Sequence, residues 1–266
     1  MERTGKRYRN HLMGLVLLGG LILQTACSVK EDRIPCPCLL HLDFVCPETE
    51  DMGLVGLKVT SLNGFVWRDT VDVSGGWNGY SVPVPQSSLH VSAWTGDDGL
   101  VSESGLVIPY GDDCPKVFMH DSDIRTGGEY YHETVTLRKN HCVLTLVTEG
   151  EEKLSSVLRL KGNVAGYDAW GVPLNGDFSF VLEEGGLEDG YLAVLPRQND
   201  ASLMLEADDG KGNNVAFAIG QYIVSSGYDW TAPDLDDIRV TLDYALTEIR
   251  VVIGGWESVF RYDVEI

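Results

Sequence analysis

Positive charge is scarce in this chain: 20 Lys+Arg stand against 40 Asp+Glu in 266 residues, a formal net charge of −20. A surface so acidic repels phosphate backbones and anionic headgroups, which excludes nucleic acid as a partner. The chain also lacks an apolar run long enough for a comfortable membrane span. Its most apolar stretch, "LMGLVLLGGLILQ", has 13 residues, whereas a bilayer core requires about 20. No "GxSxG" elbow, no "HExxH" and no glycine-rich phosphate loop ending in Lys-Ser or Lys-Thr is present, so no catalytic residue is assigned and no enzyme is expected. Carboxylate pairs are plentiful in a chain this acidic and do not by themselves support a glycosidase. Beyond the N-terminal stretch no segment sustains a helical period.

What is present begins with an export signal. Arg3, Lys6, Arg7 and Arg9 precede the apolar stretch, and small Ala26 precedes Cys27. This layout predicts a cleaved signal peptide over residues 1–26. "LQTAC" resembles a bacterial lipobox, with Gln24 where Leu is usual, and implies a thioether-linked diacylglycerol and an N-acyl group on Cys27. Two acyl chains hold a protein stably on a bilayer, since each buried methylene contributes about 0.8 kcal/mol. No other cofactor is expected. Lys30, Glu31 and Asp32 follow directly and resemble the signal that sends some lipoproteins to the outer face of the outer membrane. Without residues 1–26 the chain carries 16 Lys+Arg against 39 Asp+Glu.

From residue 38 onward the pattern is alternation at period two. In "LLHLDFVC", Leu40, Leu42, Phe44 and Cys46 share one face while His41 and Asp43 share the other, as in a half-buried strand. Similar runs recur, separated by turn signals such as "LNG", "SGGWNG", "GDDG" and "RTGGE". "RKN" at 138–140 interrupts them before a second series starts at "HCVLTLVTEG". These features predict a tether over 27–37, an N-terminal β-sandwich over 38–140 and a C-terminal β-sandwich over 141–266, each able to bury its own core. No exact internal repeat is visible. Besides Cys27 there are Cys36, Cys38, Cys46, Cys114 and Cys142, an odd number that cannot all pair within one chain. Cys38 and Cys46, evenly spaced on one strand, read as small core residues rather than metal ligands.

The tether "CSVKEDRIPCPCLLHLDF", the "VSAW" strand, the crossover "YYHETVTLRKNHCVLTL", "GNVAGYDAWGVPL", "VLPRQNDASLMLEADD" and "IGQYIVSSGYDWTAPDLDDIRVTLDY" follow one another in an order and spacing that resemble the FimB/Mfa-type fimbrial anchor lipoproteins of type V fimbriae. The resemblance spans nearly all of the chain after residue 26. It implies an all-β protein of two tandem transthyretin-like antiparallel β-sandwich domains behind a cleaved lipoprotein signal peptide, without catalysis. It further implies a fimbrial shaft subunit as partner, a lipid anchor in the outer membrane, and a place at the filament base where growth ends.

The last residues, "VFRYDVEI", are a second candidate site. Phe260, Tyr262, Val264 and Ile266 alternate with Arg261, Asp263 and Glu265, a strand that either closes the second domain's own sheet or adds to a neighbour's exposed edge. Acid clusters at Asp97-Asp98, Asp112-Asp113, Asp208-Asp209 and "DLDD" at 234–237, and the "HDSD" of His120, Asp121 and Asp123, lack calcium-loop spacing and read as solvated turns; no metal is expected. The alternative function is glycan capture by a surface lipoprotein. For that reading Trp67, Trp94 and Trp256 are expected to be buried, and the loop residues Trp77 and Trp230 are the candidates for an exposed sugar platform.

Overall fold

The structure is a computed structural model that describes residues 36–46, 53–74, 79–95, 101–102, 105–149, 157–168, 170–184, 190–208, 214–243 and 247–261. Cys27, Lys30, Glu31, Asp32, Trp77, Asp97, Asp98, Asp209, Tyr262, Val264 and Ile266 lie outside the described residues. Among the described residues no helix is long and apolar enough to cross a membrane.

Residues Cys38–Ile266 form one compact unit with two hydrophobic cores. The first is built around β1 (Cys38–Val45), whose Cys38, Leu40, Leu42 and Phe44 are buried while the intervening residues are not. Period-two alternation puts these four on one face, and burying each large side chain stabilises by about 1.5–3 kcal/mol. β1 sits between β4 (Gly79–Val84), paired antiparallel, and β9 (Tyr130–Thr136), paired parallel. Facing this sheet are β3 (Val66–Asp72), β2 (Leu54–Ser61), β5 (Ser88–Thr95) and β8 (Phe118–Arg125) in that order, with β10 (Arg138–Lys139) beyond β8.

The second sandwich repeats this topology. Its central strand β11 (His141–Glu149) lies between β15 (Tyr191–Pro196), antiparallel, and β18 (Ile238–Asp243), parallel. Opposite lie β13 (Pro173–Val181), β12 (Val157–Asp168), β16 (Met204–Asp208) and β17 (Asn214–Phe217). The expected all-β architecture of two sandwiches is therefore present, and each sandwich carries one parallel strand pair, β1 with β9 and β11 with β18. The repeat is one of topology without sequence identity.

Additions distinguish the second sandwich. β14 (Glu183–Glu184) flanks β15, while β19 (Glu248–Ile253) and β20 (Trp256–Arg261) continue the sheet beyond β18. A short helix, α1 (Ile219–Ser225), buries Ile219 and Ile223 in the core. The first sandwich lends a further piece: β6 (Val101–Ser102) pairs with β7 (Gly105–Val107), and β7 pairs with the end of β12.

Residues 105–117 thus lie in the second sandwich although they precede the boundary expected near Asn140. Leu106, Ile108, Cys114 and Val117 are buried in the second core, whereas the next residue, Phe118, belongs to the first. The backbone amides of Ile108, Gly111 and Cys114 donate to the carbonyls of Ala165 (2.9 Å), Ser179 (2.8 Å) and Val194 (3.2 Å). Glycine is required where β7 meets β12. Gly105 and Gly166 have φ of 112° and 143°, and a Cβ at either would lie 2.1 Å or 2.0 Å from a facing carbonyl oxygen. Ordinary residues pay a steric cost at such φ and could not relieve this clash without separating the strands.

No disulfide joins the described cysteines: Cys38, Cys114 and Cys142 are buried, Cys46 packs against the first core, and Cys36 is exposed. Burial pushes the thiols of Cys38, Cys46, Cys114 and Cys142 up, that of Cys142 to about 12, which disfavours the reactive thiolate.

Candidate functional site

Two features of the folded unit bear on function: the junction that joins the sandwiches, and the C-terminal edge of the second. The junction centres on Tyr167, which is fully buried. Its hydroxyl donates to the Asn140 carbonyl and accepts from the Arg197 amide at 2.7 Å. The Arg197 guanidinium then fans out, donating to Asn140 Oδ1 at 3.1 and 3.2 Å and to the carbonyls of Trp230 and Ala232. Five fixed donors on a planar head suit arginine to such convergence.

The "DLDD" turn supplies the other half. Asp234 accepts from the Arg138 guanidinium and the Lys139 amide, both at 2.8 Å. Asp237 accepts from Lys139 Nζ at 2.6 Å and the Val143 amide at 2.8 Å. Expected as a solvated turn, this acid cluster instead clamps residues 138–143, the segment through which one sandwich passes into the next. Asp113 ties residues 105–117 to β15, accepting from the Val194 and Cys114 amides at 2.8 and 3.0 Å. Burial raises its pKa to about 6 even though both amide bonds pull it down.

At the C-terminal edge, β20 pairs with β19 and has no further strand outside it among the described residues. Phe260 stands opposite Ile249 and packs on Tyr222 of α1, ring centroids 5.3 Å apart. Trp256, opposite Ile253, is 83% exposed, where burial was expected. It opens β20 directly after the Gly254-Gly255 turn, on a strand with no neighbour on its outer side among the described residues. Val259 on the other face is also exposed. The edge therefore presents backbone donors and acceptors together with uncovered apolar side chains, the combination that accepts an added strand.

The remaining tryptophans divide differently from the sequence-based expectation. Trp230 is buried, stacked edge-on against Tyr228 at 4.5 Å, because its loop folds inward over the core to bring its carbonyl to Arg197. Trp67 donates to the Tyr80 hydroxyl at 3.0 Å, and Tyr80 in turn donates to Asp69 at 2.6 Å. Trp170, which the sequence did not single out, is 57% exposed in the turn between β12 and β13, its ring 6.1 Å from that of His90. The only signal for it was its place in "AWG", a small-residue turn.

Of the histidine and acid clusters, His90 lies between two carboxylates, 2.6 Å from Asp121 and 2.9 Å from Asp123 through opposite ring nitrogens. Donors arranged on both sides of one ring cannot converge on a single ion. His41, Asp43 and His132 do converge, and they are the described residues able to hold a metal.

No protein-family model matches the chain, and no curated protein matches its sequence. Solved structures do share its fold. A candidate polysaccharide-binding protein from Bacteroides thetaiotaomicron superposes with a TM-score of 0.63 at 15% identity, over 85% of this chain and 98% of that one. A candidate adhesin from Bacteroides ovatus gives 0.63 at 12% identity, over 85% and 96%. The fimbrial anchor protein Mfa2 from Porphyromonas gingivalis gives 0.61 at 12% identity, over 84% and 99%.

Proposed function

We propose that this chain is a surface lipoprotein at the base of a fimbria, which anchors the filament to the outer membrane and limits its length. The observation that carries the reading is the two-sandwich fold it shares with the fimbrial anchor protein Mfa2 along nearly all of that protein's length. The lipobox-like "LQTAC" ahead of the folded unit supports the same reading. Acyl chains on Cys27 fix the protein to the membrane, Lys30, Glu31 and Asp32 direct it outward, and residues 27–37 tether the first sandwich. The second sandwich engages the lowest shaft subunit along the β20 edge, through backbone pairing and the apolar side chains of Trp256 and Val259. Load on the filament then passes through hydrogen bonds that must fail together, and through a junction in which the sandwiches share chain. Substitution Cys27→Ser tests the anchor: the protein leaves the membrane fraction, takes up no labelled palmitate, and filaments follow it into the medium. Retention of the variant in the membrane with normal acylation contradicts the proposal.

A second reading is glycan binding at the cell surface. Its support is the exposure of Trp170 and Trp256 and the shared fold of a candidate polysaccharide-binding protein. Aromatic faces stack on sugar rings, so this reading requires quenching of tryptophan fluorescence by a polysaccharide, lost in Trp170→Ala or Trp256→Ala. A flat titration removes it.

A further inference from the structure

Three outward-facing side chains of the first sandwich bring their donor atoms together on one rigid sheet. His41 and Asp43 are two apart on β1 and so project from the same face. The parallel pairing of β1 with β9 places His132 directly beside His41, and the antiparallel pairing with β4 places Ser81 on the other side. His41 Nε2 lies 3.1 Å from Asp43 Oδ1, and His132 Nε2 lies 2.6 Å from Asp43 Oδ2. One donor atom from each of the three residues lies within 4.8 Å of the others. The two imidazoles stack at 5.7 Å with an angle of 26° between planes.

From this geometry we infer that His41, Asp43 and His132 form a site for a divalent transition metal of the zinc class, which staples β1, the first strand of the first sandwich, to β9. Zinc bonds to imidazole nitrogen and carboxylate oxygen at about 2.0–2.2 Å in a tetrahedron, which sets neighbouring donors roughly 3.3 Å apart. The two histidine–aspartate spacings, 3.1 and 2.6 Å, lie near that value. Imidazole ligands favour zinc, copper and nickel over calcium and magnesium. A metal-bound histidine normally passes its other nitrogen to an oxygen acceptor, which fixes the tautomer and the ring. His41 has that partner already: its Nδ1 lies 2.8 Å from Ser81 Oγ, leaving Nε2 as the ligand. Gly79, across from Asp43 in the register, leaves room beside the ring; a Cβ there would stand 3.4 Å from His41 Cε1. Three protein ligands leave a fourth position facing solvent.

The staple has mechanical content. β1 follows directly on the expected tether, and β9 precedes the passage into the second sandwich. A metal across them ties these two strands together, whether or not the chain anchors a filament.

The test uses the untagged full chain in detergent, stripped with EDTA and dialysed, then titrated with zinc chloride against a zinc-indicator dye. One zinc ion per chain is expected, with a rise in Tm on saturation. His132→Gln and Asp43→Asn abolish both effects, and Ser81→Ala, which touches no ligand atom of the metal, weakens binding about 10-fold. His90→Gln, in the divergent cluster, leaves the titration unchanged. Absence of saturable binding, a wild-type titration in His132→Gln and Asp43→Asn, or loss of binding in His90→Gln would each overturn the inference. Far-UV circular dichroism of every variant separates loss of metal from loss of fold; if His132→Gln does not fold, Asp43→Asn and Ser81→Ala carry the decision.

Discussion

The two sandwiches follow one strand plan, yet their cores are built from different residues and their edges are treated differently. The first core is mainly Val and Leu, with Phe44 and Phe118 as its buried phenylalanines, while the second adds Tyr167, Phe178, Phe217, Tyr228 and Trp230. Two of these aromatics, Tyr167 and Trp230, belong to the Arg197 junction. Edges diverge in the same way. In the first sandwich the edge strand β3 carries Arg68, Asp69 and Asp72, charges that discourage edge-to-edge pairing. In the second, β20 also carries charges, Glu257 and Arg261, but leaves Trp256 and Val259 exposed between them. One strand plan thus carries two differently built cores and two differently furnished edges.

The comparison breaks most severely if the junction is cosmetic. Because residues 105–117 are shared, the sandwiches are expected to unfold together, so Leu144→Ala, a cavity in the second core only, costs about 2–5 kcal/mol and lowers a single thermal transition. Calorimetry that resolves two transitions, only one of them shifted, would contradict shared unfolding. Next in size is Tyr167→Phe. It leaves the Asn140 carbonyl and the Arg197 amide without their common partner, a loss of about 1–3 kcal/mol, measurable by urea denaturation.

Asp113 sharpens the same point through pH. Its folded pKa of about 6 lies above the ordinary 3.8, so the folded state binds the proton more tightly than the unfolded state does. Its contribution to stability is complete below 3.8 and is lost as pH rises to about 6. Asp113→Asn, which keeps an acceptor for both amides, is expected to flatten that part of the stability profile; an unaltered slope would mean that the carboxyl is not desolvated. A smaller effect is expected for Asp234→Ala. Its ion pair with Arg138 is half-exposed, and such pairs contribute about 1 kcal/mol or less; the lost bond to the Lys139 amide adds to this. Smallest of all is Trp256→Ala, whose exposed side chain leaves the unfolding free energy within about 0.5 kcal/mol of wild type while weakening capture of shaft subunits in a pull-down.

Alternation made individual strands readable, because period two assigns faces residue by residue: Leu40, Leu42 and Phe44 are buried as their spacing requires. What alternation does not encode is which strands become neighbours. The parallel pairing of β1 with β9 joins residues some ninety positions apart, so His41 and His132 looked unrelated along the chain. Residues 105–117 read as a continuation of the first sandwich, since a short apolar run carries no mark of the core it enters. Trp256 and Trp230 exchanged their expected environments for a similar reason. Exposure at a sheet's edge depends on whether a further strand lies outside it, and burial of a loop depends on what its carbonyls can reach.

The anchoring role itself is tested most directly in cells. With the gene deleted, filament protein is measured on the cells and in the medium, and filament lengths are read by electron microscopy. The account predicts longer filaments, mostly shed into the medium. Filaments of unchanged length that stay attached would contradict it.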